Sequence, residues 1–277
     1  MEMLKVVCAL VLSFGTVSWA RAALPLEQLF YKGQAVPFYG TARSERQQEL
    51  LDIAKKTQFA ERMARLVNSA VHLKTNLGVG FASCGQPNAF YDRQRGAVVF
   101  CTEMLNLMVN LARSDTDLAT ADRTSFSRVI DGAVWGIFFH ELGHAIIGVN
   151  GVPITGREED VADQFAIYFA AHFVEPQGTP VVQPTIWLFT QMSKRVDIAS
   201  ADQDTIKRLM SNEHSLDQQR IYNLACWALG ANSSRGYVSA QYVSLPQERA
   251  GRCSNEFATL DFGVRKQFQK FLKVRPQ

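Results

Sequence analysis

Apolar positions recur at helical spacing over several long parts of the chain. The first such stretch, residues 44–73, opens with Ser44 and Gln47, which fit a capping box, so we expect a helix to begin there. The same spacing predicts further helices, over residues 102–113, about 122–149 and about 157–174. After the loop EPQGTPVVQP the chain is again mostly helical in pattern, with a stop at Gly230.

Three short apolar runs, LGVGFA, NAFY and GAVVFC, have the length and composition of strands. The turn DRQRG separates the last two, which predicts a hairpin. No linker, repeat or low-complexity tract divides the rest of the sequence. We therefore expect one helix-rich α+β domain over residues 23–277, with a small antiparallel sheet.

The first 22 residues, MEMLKVVCALVLSFGTVSWARA, have the layout of a secretory signal peptide. A lysine precedes an apolar run, and Ala20 and Ala22 form an A-x-A cleavage site. A membrane anchor is the alternative, but the run is shorter than the about 20 residues that a span needs. We expect cleavage after Ala22, export to the periplasm or the medium, and no stable membrane span afterwards.

Cysteine usage agrees with export. Cys8 belongs to the signal segment, and the four cysteines that remain favour disulfides over free thiols. Three connectivities are open to four cysteines. We choose the connectivity in which both bridges close local loops, Cys84–Cys101 and Cys226–Cys253.

Charge and composition exclude one class of partner. The net charge of +3 is spread over interspersed acids and bases, and there is no basic stripe with interleaved aromatic residues. A nucleic-acid-binding protein normally has one, so we expect no nucleic acid partner.

The segment FFHELGHAIIG places ionisable groups in an otherwise apolar helix. His140 and His144 are four residues apart, about 40° in projection and about 6 Å along the axis, so both imidazoles can reach one metal ion. Glu141 projects beside them and can act as a base on a water molecule. Two core histidines with satisfied hydrogen bonds are the alternative, but they leave a buried glutamate without explanation.

A catalytic zinc needs a third protein ligand and one open position. The HExxHxxGxxH class is excluded, because Asn150 and Ile147 occupy its histidine and glycine positions. The next helix contains GREEDVADQFA, in which Glu159 can bind the metal while Asp163, four residues on, accepts the free ring N–H of a ligand histidine. Glu158 has no partner at that spacing, so we interpret it as solvated or structural.

HELGH followed by EDVADQFA resembles the gluzincin arrangement of HExxH plus ExxxD. Together with CGQPNAFYDRQRGAVVFCTEML, EHSLDQQRIYNLACWALG and LPQERAGRC, these segments resemble a bacterial family of exported metallopeptidases with undefined substrates. The resemblance covers most of residues 80–256 and implies a zincin-like fold. It also implies one Zn²⁺ per chain bound by His140, His144 and Glu159, with Glu141 as general base and a peptide or protein as substrate.

The segment HSLDQQRI resembles the HPxxxxRI segment of prenyl-protein-type membrane zinc proteases, with Ser215 in place of the proline. This chain lacks that family's membrane helices, and beyond the signal segment we find no stretch that could cross a bilayer. The resemblance implies that His214 donates a hydrogen bond to the oxyanion, with Arg220 and Tyr222 as substitutes. A helix-capping or surface histidine is the alternative.

Two further questions stay open at this point. The run GAVVFC is either the sheet edge along which an extended substrate lies or an ordinary interior strand. A non-catalytic zinc-binding or scaffolding protein, and a hydrolase of non-peptide amides, are the alternatives to a peptidase.

Overall fold

The computed structural model describes residues 31–195, 198, 200–231 and 234–273. The expected signal peptide, residues 1–22, lies outside the described residues. Tyr31–Gln277 form one compact unit. Its helices are α1 Glu45–Lys56, α2 Phe59–Ala70, α3 Thr102–Ser114, α4 Thr116–Ala119, α5 Arg123–Asn150, α6 Glu158–Phe169, α7 Val182–Ser193, α8 Gln203–Met210, α9 Asp217–Gly230, α10 Ser234–Tyr242, α11 Gln247–Ala250 and α12 Cys253–Phe268. The α+β class expected from the sequence is confirmed.

Four strands form one mixed sheet, in the order β1-β2-β4-β3. They are β1 Ala35–Tyr39, β2 Leu77–Ala82, β3 Ala89–Asp92 and β4 Ala97–Cys101. Strands β1, β2 and β4 are parallel, and only the β3–β4 pair is antiparallel. The hairpin prediction is therefore confirmed, while the expectation of a wholly antiparallel sheet is wrong, because α1 and α2 connect β1 to β2 as a crossover.

Strand β1 was not predicted because Pro37 interrupts its pattern. It is an edge strand, the position at which a sheet tolerates proline. Strand β4, which contains all of GAVVFC except its glycine, lies between β2 and β3. The suggestion that it is the substrate-binding edge is wrong, and the interior-strand alternative holds.

The predicted helix over residues 44–73 divides into α1 and α2. Ser44 is the N-cap, and its side chain accepts a hydrogen bond from the Gln47 amide. The other half of the box is absent, since the Gln47 side chain accepts from Arg43 N instead. The break follows Thr57, where Gln58 adopts a left-handed conformation with φ of 51°.

Helix α5 is the central helix of the molecule and packs against α6, α7, β3 and β4. It is long and apolar enough to cross a membrane, which the sequence analysis did not recognise, but 83% of its apolar window is buried inside the protein. That burial is typical of a core helix in a globular protein. At Gly136 the approach of α7 is so close that a Cβ would lie 1.8 Å from Thr185 Oγ1.

Helix α6 is shorter than the single helix predicted over residues 157–174. After Phe169 the chain continues as a π-helical turn, Ala170–Val174, and then a 3-10 turn, Glu175–Gln177.

Two disulfides cross-link the protein. Cys84–Cys101 joins the loop before β3 to the end of β4, and Cys226–Cys253 joins α9 to the start of α12. This is the local pairing chosen from the sequence. Two bridges are typical of a protein that folds in an oxidising, extracytoplasmic environment.

Replacing Gly136 by alanine is expected to lower the free energy of unfolding by about 1–3 kcal/mol, the usual cost of overpacking a core. The added Cβ meets the hydroxyl of Thr185, which is buried and donates to Val181 O. Gly263→Ala in α12 is the matched control, because a Cβ there meets nothing within 4 Å. It should be neutral or stabilise by up to about 1 kcal/mol. Chemical denaturation measures both, and a Gly136→Ala protein as stable as wild type contradicts the expected clash.

Reduction of the disulfides should lower the melting temperature, because each native bridge in such a domain contributes about 2–4 kcal/mol. Thermal unfolding with and without reductant measures the effect, and peptide mapping without reductant checks the pairing. A Cys101–Cys226 cross-link would contradict it. Bound metal should survive reduction, since no cysteine belongs to the proposed ligand set.

Candidate metal centre

The centre lies where the middle of α5 meets the first turn of α6. His140 and Glu141 are buried on α5, and His144 follows one turn later. Gly151, with φ of 66°, closes α5 in the left-handed conformation that ends many helices, and its amide bonds to Ile147 O. The short connection that follows starts α6 at Glu158, so that its first acids face the two histidines.

Three side-chain atoms form a nearly equilateral triangle. His140 Nε2 lies 3.1 Å from Glu159 Oε2 and 3.2 Å from His144 Nε2, and the third edge, His144 Nε2 to Glu159 Oε2, is 3.4 Å. Four ligands placed tetrahedrally at zinc-ligand distances of about 2.0–2.1 Å lie about 3.3 Å apart. The spacing of these three atoms, and the set of two imidazoles and one carboxylate, therefore fit a tetrahedral zinc ion.

Each of the two α5 histidines has an acidic partner at its other ring nitrogen. His140 Nδ1 lies 2.8 Å from Asp163 Oδ1, as the spacing of Glu159 and Asp163 predicted. His144 Nδ1 lies 2.9 Å from Glu158 Oε1. Such contacts fix the tautomer and the orientation of a ligand histidine. Of the two interpretations offered for Glu158, solvated or structural, only the structural one agrees with these contacts, because Glu158 is part-exposed and contacts the second histidine.

Glu158 was not predicted to belong to the centre because it has no partner four residues further along α6. The actual partner, His144, is on α5, and Arg93 of the β3–β4 turn contacts the same carboxylate at 3.2 Å.

Arg220 of α9 completes the network behind His140. Its Nε donates to Asp163 Oδ2 at 2.8 Å and its Nη2 to Asp163 Oδ1 at 2.7 Å. The guanidinium lies over the ring of Phe189, 4.1 Å from the ring centroid. Arg220 is buried, and this bidentate pairing was not expected from the sequence, which offered Arg220 only as a substitute oxyanion donor.

These contacts shift the pKa values of the buried groups. Burial disfavours a charged His140, but its hydrogen bonds to Asp163 and Glu159 raise the pKa of His140 to about 9. Burial opposes ionisation of Asp163 as well, yet the Arg220 charge and the His140 contact hold its pKa well below the usual range. The pKa of Glu159 is also lowered against its burial, by hydrogen bonds to His140, His144 and His214.

Glu141 faces the cleft beside this triangle. The backbone amide of Tyr91, in β3, donates to Glu141 Oε2 at 2.9 Å, and this contact links the edge strand to the centre. Burial raises the pKa of Glu141, although the charges of His140 and His144 act in the opposite direction. A raised pKa suits a carboxylate that has to accept and return a proton near neutral pH.

His214 lies on the loop between α8 and α9 and faces the centre. Its Nε2 is 2.8 Å from Glu159 Oε2, and its ring stacks on that of His140 with centroids 5.9 Å apart. Of the two substitutes, Arg220 lines the same cleft as His214 but is engaged by Asp163, and Tyr222 lines a separate groove. The role of His214 as an oxyanion donor stays a prediction.

A cleft of about 320 Å³ opens onto the centre. Its polar lining includes Glu141, His140 and His214, and its apolar lining includes Met104, Ile137 and Phe189.

Fold and site together define a helix-rich α+β protein with a candidate metal centre of histidine and glutamate side chains. Residues 39–263 match the model of a family described as "Putative metallopeptidase", and the chain belongs to that family. The description indicates a hydrolase that uses a metal ion. Comparison with curated proteins and with solved structures gave no match.

The geometry predicts a ranking of zinc affinities among three acidic positions. Glu159→Ala should lose zinc, because it removes Oε2, one of the three atoms of the triangle formed with His140 and His144. Glu158→Ala and Asp163→Asn should each weaken zinc binding by about 10–100-fold, the usual cost of losing a partner of a ligand histidine. Glu248→Ala, an exposed acid in α11, is the control and should leave affinity unchanged. Competition with a chromogenic chelator measures all four, and zinc retained in Glu159→Ala but lost in Glu158→Ala would reverse the assignment.

Proposed function

We propose that this protein is an exported gluzincin-type metallopeptidase that hydrolyses peptide bonds with one zinc ion per chain. The observation that supports it most directly is the triangle of His140 Nε2, His144 Nε2 and Glu159 Oε2, with edges between 3.1 and 3.4 Å. Membership of the family agrees with this proposal. The two disulfides agree with export to the periplasm or the medium.

His140, His144 and Glu159 would hold the ion, with Asp163 and Glu158 fixing the two imidazoles. Bound zinc lowers the pKa of a coordinated water to about 7 and polarises a carbonyl.

Glu141 is the general base of the proposed reaction. The Tyr91 amide holds its Oε2, and we assign Oε1 to accept a proton from the attacking water. The protonated carboxyl then gives this proton to the leaving amine as the peptide bond breaks. Burial raises the pKa of Glu141, which makes its carboxylate a stronger base for the first of these two steps.

His214 is the proposed donor to the oxyanion that develops on the attacked carbonyl. Its position above His140, on the open side of the centre, agrees with this role. Asn212 Oδ1 lies 2.8 Å from the His214 amide and 3.3 Å from Nδ1, so the backbone and ring are oriented together.

The substrate strand would lie along β3, since β4 is interior. The Asn88 carbonyl accepts from Cys101 N and so faces β4. Neighbouring residues in a strand point their backbone groups in opposite directions, so the amide and carbonyl of Ala89 face outwards. Asn88 and Ala89 line the cleft together with Glu141. An extended peptide could pair with this edge and present its carbonyl to the centre.

A non-catalytic zinc-binding protein is the second candidate. It is favoured by one contact, the approach of a third histidine, His214, to the same Glu159 oxygen. Glu141 favours the peptidase, because a purely structural zinc site gains little from a buried carboxylate held beside it.

Glu141→Gln should abolish peptide hydrolysis and leave about one zinc per chain. The amide keeps the shape of the side chain but cannot accept the proton. Cleavage of a broad peptide library, with and without chelator, measures activity, and metal analysis measures zinc. Glu248→Gln is the isosteric control on the surface. Loss of zinc together with activity would make Glu141 a ligand or a fold element and would end its assignment as base.

His214→Ala, assayed at saturating zinc, should lower kcat by about 10²–10³, as expected for loss of one oxyanion donor. The measurement uses any peptide that the wild-type protein cleaves, beside Glu141→Gln as the inactive reference. Near-normal kcat would assign the oxyanion to another donor.

A further inference from the structure

We propose that His214 is a reversible fourth ligand of the zinc centre, bound in the resting protein and displaced when a substrate carbonyl enters. The inference rests on the proposed zinc-dependent function and concerns how the same site is opened. Four features support it: the position of Nε2, the partner of Nδ1, the attachment of the loop and the exposure of the ring.

The first feature is convergence on one oxygen atom. Glu159 Oε2 lies 2.8 Å from His214 Nε2, closer than its distances of 3.1 Å to His140 Nε2 and 3.4 Å to His144 Nε2. The potential ligand atoms of His140, Glu159 and His214 all lie within 4.8 Å of one another. A cation placed against the Glu159 oxygen is therefore within reach of a third imidazole.

The second feature is the tautomer that the surroundings of His214 favour. Its Nδ1 lies 3.3 Å from Asn212 Oδ1, an oxygen that can only accept. With the proton on Nδ1, the lone pair of Nε2 points at the centre. His140 and His144 have the same arrangement, with Nδ1 against Asp163 and Glu158. All three histidines thus have an oxygen partner behind the ring, as ligand histidines usually do.

The third feature is the attachment of the loop, residues 211–216, which we name the strap. Arg157 Nη2 donates to Asn212 O at 3.0 Å and also to Glu213 O. Ser215 Oγ donates to Asp160 Oδ1 at 2.9 Å. Arg157 is the N-cap of α6 and Asp160 is in its first turn, so the strap is fastened to the same turn that contains Glu159.

The fourth feature separates His214 from the other two histidines. Its side chain is 41% exposed, against 5% for His140 and 12% for His144. The ring can move into solvent without opening the core.

A site with four protein ligands is closed, whereas a catalytic zinc site keeps one position open. Binding by His214 would therefore hold the centre in an inactive form. Its displacement would free Nε2, and a tautomer shift that moves the ring proton from Nδ1 to Nε2 through solvent would make this nitrogen the N–H donor that the proposed mechanism needs next to the attacked carbonyl. The same residue would act as a ligand at rest and as a donor during turnover.

The test is zinc affinity, measured by chelator competition on wild type, His214→Ala, His140→Ala and His72→Ala. The His72 variant is the matched control, since that residue lies after α2 and its ring contacts Tyr31. His214→Ala should bind zinc at least about 10-fold more weakly, because losing a ligand should cost at least as much zinc affinity as losing a partner of a ligand histidine. His72→Ala should match wild type. The visible spectrum of the Co²⁺-substituted protein should change in His214→Ala, because a nitrogen ligand is replaced by water.

Asn212→Ala is a milder second variant that keeps the imidazole and removes its Nδ1 partner. It should shift affinity and the Co²⁺ spectrum in the same direction as His214→Ala, by a smaller amount. If both variants match wild type while His140→Ala loses zinc, the fourth-ligand inference is overturned and the three-ligand function stands. If His140→Ala keeps its zinc, the proposed metal centre itself is wrong.

Discussion

Asp163 and Arg220 form a charged pair with two hydrogen bonds in the interior, and the same carboxylate holds the ring of His140. These side chains come from α6, α9 and α5, so one cluster fixes the relative positions of three helices. Removing one partner of a buried pair typically costs about 3–5 kcal/mol, because the other charge is left uncompensated. The position of His140, and with it the triangle of ligand atoms, therefore depends on this pair.

The arrangement explains why a segment as apolar as α5 contains ionisable groups. Each has a partner from another element: Asp163 and Glu158 for the histidines, and the Tyr91 amide for Glu141. Helices α6 and α7 approach α5 closely at its glycines. At Gly143, between the two histidines, a Cβ would lie 3.1 Å from Ala162 Cα. Small residues on the helix thus allow the neighbouring helix to bring its acids within reach.

The sequence allowed the local parts of this structure to be predicted and left out the parts that depend on distant contacts. Helical spacing placed His140 and His144 on one face, and the i,i+4 relation on α6 selected Glu159 and Asp163. The contact of Glu158 with His144 was not predicted because His144 is on α5. The pairing of Arg220 with Asp163 was not predicted because α9 and α6 are far apart in sequence. The parallel pairing of β1 was likewise not predicted. Pro37 interrupts the pattern of the strand, and Ala35 pairs with Leu77, which is 42 residues away in sequence.

The polar groups around the centre differ in how firmly the fold holds them. On the inner side, His140 and Asp163 are buried and tied to Arg220, so they can move only if helices separate. On the outer side, the strap is held by hydrogen bonds from Arg157 and Ser215 that water can replace at little net cost. The proposed reaction needs fixed ligands and a face that opens to a peptide. The proposed ligands His140, His144 and Glu159 are on packed helices, and His214 is on a loop.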